Sequence, residues 1–471
     1  MFPFPLMLAI LLIGCQGDRQ APADGRAAAA DAQVRARWGK GTSDLPAVRL
    51  VAISPHNENI QKEFEWAFAL HHAVEHGERV DIEWRTVGGG GTSIETFLLN
   101  QYARSETADI DVIWGGGEFT IRQLASSGVL EPMRLSDDVL RNIPRTFSGQ
   151  QMYDPGRLWC GSAVSGFGFI YNAGMLERCR LAPPRTWDDL GDERFADLVS
   201  LADPTQSSSA AAAYKVVVQS GSTWPEGWGR LLRILANANR FTDSAGSAAN
   251  APALGEALVA TCIDFYGTTR VKEAPDELAY VSPRGETAFS PDPIAILKNP
   301  PNRPLAQRFV DFVLSRRGQA LWALRVGEPD GPVRSPLARQ PIRRDVYETY
   351  AGKMSAWIVN PYQAGQALVV QGPMTQVDMG VLRQLVRAAA IDNREGLRLA
   401  RGKLIALRGD PARRQHCKRL LAEFNALPDD IAALEMMPAL ARKLEDPTQQ
   451  ELIVTGWGRF FRDKYARIVE N

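Results

Sequence analysis

Three short stretches of this chain join a permissive backbone to polar side chains: Ser54-Pro55-His56-Asn57, then "GGGGTS" from Gly88 to Ser93, then Gly115-Gly116-Gly117. Glycine runs cost backbone entropy, so they persist where a chain turns tightly or brings its N–H groups against a ligand. The chemistry open to such loops is non-covalent. The N–H groups of Gly89, Gly90, Gly115 and Gly116 and the hydroxyls of Ser54, Thr92 and Ser93 suit a carboxylate, phosphonate or sulfonate. His56 and Asn57 add an imidazole and a carboxamide. Further along, Ser207, Ser208 and Ser209 put hydroxyls at the start of another apolar-periodic run. A bulky residue at Gly90 is expected to harm an anion held by backbone N–H groups.

Other chemistries find less support. The glycine run lacks the Gly-Lys-Ser/Thr ending of a nucleotide-binding loop, and no Gly-x-Ser-x-Gly elbow is present. His72 and His76 have the i, i+4 spacing of a metal pair. Glu75 does not follow the first histidine as a zincin requires, so a solvated helix end is expected there. Lys plus Arg and Asp plus Glu both number 54, which leaves no general basic face for nucleic acid. Cys160, Cys179, Cys262 and Cys417 match no zinc spacing, and Cys160 with Cys179 is the pair to test for a bridge. Trp224 and Trp228 read as packing residues, whereas Trp114, beside glycines, is placed to line a cleft.

The elements that must hold these loops alternate regularly. "AVRLVAIS" reads as a buried strand, and "NENIQKEFEWAFALHHAVEHG" as a helix with Ile60, Phe64 and Phe68 on one face. "RVDIEWRTV" alternates as a strand, Ile94, Phe97, Leu98 and Tyr102 mark a helix, and "ADIDVIWGGG" is a strand running into glycines. Three strand–loop–helix units predict an α/β fold with a mainly parallel sheet. Its loops at the carboxyl ends of the strands are where such sheets bind ligands.

The amino terminus is of a different kind. "MFPFPLMLAILLIGC" is too short to span a membrane, which needs roughly 20 apolar residues, and reads as a signal-peptide core. Leu12-Ile13-Gly14-Cys15 resembles a bacterial lipobox, which implies cleavage before Cys15 and acylation of its thiol. No Lys or Arg precedes the apolar run. Residues 16–46, rich in Ala, Gly, Asp and Arg, are expected to be a flexible tether.

Residues 156–190 resemble the passage of bacterial extracellular solute-binding proteins into their second lobe. The matching residues are Gly168, Tyr171, Asn172, Leu176, Pro184, Thr186, Trp187, Asp189 and Leu190. "ADPTQSSSAAAAYKVV", with Asp203 and Pro204, is similar to that class's lobe-two loop. "ATCIDFYG" and residues 291–322 resemble its returning strand and its lobe-one helix. Within the class the chain is most similar to the ferric-iron branch. The resemblance implies a type II periplasmic-binding fold, with lobe one at 47–162 and 280–342, lobe two at 163–279, and hinges near 160–165 and 278–290. Residues 343–471 would then be a helical extension bracing lobe one and the back of the cleft.

Iron-type members use a histidine on the first loop and tyrosines near the second hinge. His56 and Tyr266 stand at those places, with Glu58 and Asp264 nearby, and Phe265 stands where a second tyrosine is expected. Ferric ion would be bound as cargo, there being no resident cofactor. An organic or anionic solute is the alternative, with Tyr266 bonding or stacking on it and His56 or Asp203 orienting it. The resemblance thus implies a monomeric, lipid-anchored, extracytoplasmic binding protein feeding an ABC permease, working by hinge closure without covalent chemistry. An enzyme on the same fold, or a binding protein that signals to a membrane kinase, are the other classes to consider.

Overall fold

A computed structural model describes residues 17–88, 90–408 and 411–471. Cys15, the signal segment and Gly89 lie outside the described residues. The chain runs through α1 (Gly17–Trp38), β1 (Ala47–Ile53), α2 (Glu58–His76), β2 (Arg79–Arg85), α3 (Gly91–Tyr102), β3 (Val112–Trp114), α4 (Gly117–Ser126), β4 (Leu130–Glu131), α5 (Asp137–Asn142), β5 (Thr146–Phe147) and β6 (Gln150–Gln151). Strand β7 (Cys160–Asn172) then leads to α6 (Ala173–Arg178), α7 (Trp187–Leu190), β8 (Val199–Ala202), α8 (Ser208–Gln219), α9 (Trp224–Ala236), β9 (Ala238–Thr242), α10 (Ala245–Asn250), β10 (Val259–Ile263), α11 (Asp264–Glu273) and β11 (Leu278–Val281). The chain returns through β12 (Phe289–Leu297), α12 (Arg303–Leu314), α13 (Arg316–Ala323) and α14 (Arg344–Thr349). It ends in α15 (Met379–Val386), α16 (Arg394–Arg408), α17 (Arg414–Asn425), α18 (Met437–Lys443) and α19 (Pro447–Glu470).

Local chemistry sets these elements. Asn57 caps α2 by accepting from Ile60 N, and Gly77 ends it in the left-handed region at φ 66°. Between the caps, Ile60, Phe64 and Phe68 recur at helical spacing and are buried. His72 continues this buried face; it is no solvated helix end. Its Nδ1 donates to Glu78 O at 3.1 Å and its Nε2 accepts from Arg308 at 3.2 Å, while burial pushes its pKa down to about 4. The strands order as β2-β1-β3-β12-β7-β10-β8-β9, with β4 on β12 and β11 on β7. Parallel pairs lie in the outer parts, β1 with β2 and β3, and β8 with β9 and β10.

Strand β7 joins the lobes. Its first half pairs antiparallel with β12 as far as Gly166, and its second half pairs with β10 and β11 from Phe167 onward. β11 therefore belongs to lobe two, so lobe one resumes after Val281 and not at 280, and the return crossing 282–288 falls within the expected hinge. A register shift between Asp292 and Pro293 leaves Ser162 unpaired in the ladder. Its carbonyl instead accepts from Gln319 Nε2 (2.6 Å) and Trp322 Nε1 (3.0 Å), and its hydroxyl donates to Asp292 O.

Three expectations change. Of the expected tether 16–46, the described residues from Gly17 on are no tether, because α1 docks on lobe one: Val34 packs with Leu45 and Ala73, Trp38 Nε1 donates to Val74 O, and Arg37 pairs with Glu75. The Ala-rich sequence is a strong helix former, and a few buried side chains suffice to hold it down. The carboxyl-terminal extension divides: Arg343 on Asp138 and Tyr362 against Phe147 hold its first part to lobe one, Trp357 between them reaches lobe two against the cluster of Val271 and Leu278, and α15–α19 share lobe two's core. α9 explains this, since Trp224, Trp228 and Leu231 form an apolar stripe that Phe461 and Ile431 cover. Cys160 and Cys179 are both free. Cys160 opens β7 and Cys179 lies past its far end, after α6; the 13 residues of the strand span roughly 40 Å, and a disulfide needs Cα atoms within about 7 Å.

Candidate functional site

A cleft of about 610 Å³ lies between the lobes. Lobe one supplies its wall from Pro55-His56, from Gly90 to Ser93 at the start of α3, and from Gly116 to Phe119 at the start of α4. Lobe two answers with Thr205 to Ser209 at the start of α8, with Lys215 and Asp243, and with Phe265 and Tyr266 on α11. Several helices thus point their amino ends at one space. α3 and α4 begin at Gly90 and Gly116 with no side-chain cap, although Ser, Thr, Asp or Asn ordinarily fills that role. Their first N–H groups are aimed at the cleft together with the positive ends of the helix dipoles. Beside them the Thr92 hydroxyl is buried without a hydrogen-bond partner.

The glycines have unequal duties. A Cβ on Gly90 would meet nothing within 4 Å, but one on Gly91 would stand 2.2 Å from Gly116 O and 2.8 Å from Thr120 Oγ1. Gly116 itself has φ +93°, where a side chain is strained. The two uncapped helix ends therefore touch, and Gly91 is the residue that lets them.

The floor is an ionic cluster in which His56, expected from the sequence, meets Arg339 and Asp292, which were not. Arg339 donates from Nη1 to Asp292 Oδ2 (2.5 Å) and from Nη2 to Ser165 Oγ (2.9 Å). Its guanidinium stacks over Phe265 at 4.5 Å and Trp322 at 5.2 Å. His56 Nε2 lies 2.7 Å from Asp292 Oδ2 and 3.0 Å from Arg339 Nη1. Burial pushes the His56 pKa down, with Asp292 opposing and Arg339 adding to it. Burial also works against the Asp292 carboxylate, but Arg339 and His56 outweigh it and hold Asp292 well below the usual carboxylate range.

The other expected residues scatter. Gly90, Thr92, Ser93, Gly116, Ser207, Ser208, His56 and Tyr266 line the cleft. Ser54 does not; its hydroxyl accepts from His56 N. Asn57 is spent on capping α2. Gly115 lies beneath His56, where a Cβ would come 2.9 Å from Nε2. Asp203 shapes the α8 loop by accepting from Thr205 N, Thr205 Oγ1 and Gln206 Nε2. Asp264 braces β7 and α11 through Gly166 N and Phe265 N, and burial pushes its pKa up to about 6. Trp114 is fully buried under His56, edge to face at 4.5 Å, and donates to Ser162 Oγ. Asp292 carried a signal, a charge between two prolines in an apolar strand; Arg339, one of several arginines in its loop, carried none.

The uncapped helix ends give this arrangement donors that can hold an anion. Among the described residues no group of three or more His, Cys, Asp or Glu could hold a metal. Burial raises the Tyr266 pKa and so disfavours a phenolate, and the buried Arg339 cation stands beside His56.

A family model described as "Bacterial extracellular solute-binding protein" matches residues 107–344, just over half of the chain. The phosphoglycerate transport regulatory protein PgtC of Salmonella typhimurium is 26% identical over 286 residues, which is 61% of this chain and 64% of PgtC. The chain therefore spans slightly less than two thirds of that relative. An uncharacterized protein of Haemophilus influenzae is 28% identical over 250 residues, 52% of this chain and 69% of the other. Among solved structures, the periplasmic binding protein AfuA of Actinobacillus pleuropneumoniae, with fructose-6-phosphate bound, superposes with a TM-score of 0.54 at 20% identity. It covers 74% of this chain and 96% of its own. The apo ferric ion-binding protein A of Pasteurella haemolytica gives 0.53 at 13% identity, over 72% and 96%. At these identities the likeness is one of fold.

Proposed function

The chain belongs to the bacterial extracellular solute-binding proteins, and on that premise we propose that its solute is a small phosphorylated or carboxylated hydroxy compound. The carrying observation is the pair of uncapped helix ends at Gly90 and Gly116, which turn N–H donors and positive dipole into one cleft. On lobe two's wall, facing those helix ends, Lys215 adds positive charge and Asp243 suits the hydroxyls of such a solute, with the Arg339–Asp292 pair on the floor. The names of two similar proteins agree, one a phosphoglycerate transport regulatory protein and the other seen with fructose-6-phosphate. In this reading the chain binds and releases its solute unchanged, hands it to an ABC permease, and works as a monomer.

Calorimetry and thermal melting with phosphoglycerate, fructose 6-phosphate, inorganic phosphate and ferric citrate test the proposal. At least one phosphate ester should bind and raise the melting temperature, by about 2.7 kcal/mol of stability at a hundredfold excess over Kd. Ferric ion should give no visible charge-transfer band, and Tyr266→Phe should cost one hydrogen bond, about 0.5–1.5 kcal/mol. A visible iron band that disappears in Tyr266→Phe, with no phosphate ester bound, would overturn the anion in favour of ferric cargo.

We further propose that acyl chains on Cys15 anchor the protein, as the sequence Leu12-Ile13-Gly14-Cys15 suggests. Labelled palmitate should enter the chain in a bacterial host and be lost in Cys15→Ser. Equal labelling of the two would refute the anchor.

A further inference from the structure

The segment after residue 366 runs between the lobes before its helices settle on lobe two. Leu368 O accepts from Ser148 on lobe one, and Met374 O accepts from Gln219 on lobe two. Asp378 caps α15 by accepting from Val381 N. Met379, at the start of that helix, lines the cleft. One turn on, Arg383 touches both lobes. Its Nη2 donates to Thr205 O in the loop before α8, and its guanidinium stacks on Phe119 of α4 at 4.7 Å. Nearby, Ser208 of lobe two donates to Gly116 O of lobe one at 3.4 Å, so the two walls already meet here.

Two charges at this seam are incompletely satisfied. Arg383 Nε is buried without a partner, and so is Oε2 of Glu95 on α3. Burial pushes the Glu95 pKa up to about 7 with Arg383 pulling it back, and Glu95 is in turn the leading opposite charge acting on Arg383. Leaving buried charged groups half-paired is costly, and a small closing movement that joins them removes that cost.

We propose that the carboxyl-terminal extension is a working part of the solute trap, with Arg383 a positioning residue that clasps lobe one to lobe two and prolongs enclosure of the solute. The proposal rests on the reading of the cleft as a solute trap. α15 carries the clasp from lobe two, and Phe119 and Glu95 receive it on lobe one. Opening the cleft must break the Arg383–Phe119 stack, so the clasp slows solute release.

The test is a distance measurement made without any solute. Spin labels are placed on Cys179, exposed at the end of α6, and on an Arg104→Cys variant, exposed on lobe one, with Cys15 and Cys417 replaced by serine. In the otherwise unchanged chain a short interlobe distance should dominate. Arg383→Ala should move population to longer distances, Phe119→Leu should do the same from the other lobe, and Arg383→Lys should fall between. Release of phosphoglycerate should become roughly three- to tenfold faster in Arg383→Ala. If both Arg383→Ala and Phe119→Leu melt as folded proteins and keep the original distances, the clasp is wrong. If no phosphate ester binds at all, the solute assignment fails while the solute-free distances still decide the clasp.

Discussion

Arg339→Met should abolish retention of an anionic solute and lower folding stability by about 3–5 kcal/mol, the usual cost of stranding one member of a buried ion pair. Arg339 is almost entirely buried, donates to Asp292 and Ser165, and lies between two aromatic faces. Methionine keeps much of the stem's packing, so the loss isolates the charge. Asp292 would lose the cation that holds its pKa down and keep only His56 as a partner. Urea denaturation reads the stability, and calorimetry with the best-binding phosphate ester reads the affinity. The double variant Arg339→Met with Asp292→Asn separates the two roles, because residues in one network do not act additively. It should regain much of the stability and none of the affinity. A single variant within about 1 kcal/mol of the parent, still binding normally, would remove Arg339 from the account of the site.

Gly91→Ala should be far more damaging than the same methyl at Gly90. The new Cβ would fall 2.2 Å from Gly116 O, a backbone atom that cannot swing aside. Relief requires α3 and α4 to separate, and overpacking of this kind costs about 1–3 kcal/mol. The two uncapped ends would diverge with it, and binding should weaken at least tenfold, by about 1.4 kcal/mol or more. Gly90→Ala is the matched control, since nothing lies within 4 Å of its added Cβ. It should leave stability within about 0.5 kcal/mol, as ordinary surface changes do. Equal melting temperatures for the two variants would show that the contact between the helix ends does not matter.

These cases mark how far the residues speak for themselves. The three loops of lobe one were legible because strand–loop–helix alternation places them by topology alone, and Gly90, Thr92, Gly116 and His56 do line the cleft. Which glycine is packed and which is open was not legible, because that depends on a second loop 25 residues away in the sequence. Likewise an amphipathic stripe on α16 or α19 announces a buried face without naming the partner, so lobe two could not be told from lobe one. Asp203 and Asp264 look like ligands by type, yet each is consumed by backbone N–H groups of its own loop or of β7. Arg339 emerges only in three dimensions, where a loop after α13 folds under the cleft.

The docking of α1 bears on how far the protein can roam. A lipoprotein on a loose thirty-residue leader would sweep a hemisphere several nanometres in radius, searching for solute and permease alike. Here the helix starts at Gly17, and Arg26 and Trp38 hold it to lobe one through Gly331 O and Val74 O. If Cys15 bears the acyl chains, Gln16 alone separates the lipid from that helix, a reach of about 7 Å. Lobe one would then ride at the bilayer surface like a boat on a short mooring, and lobe two, weighted by α15–α19, would be the part that swings. Capture of solute by such a molecule depends on diffusion of the solute, and meeting a permease becomes a search in two dimensions.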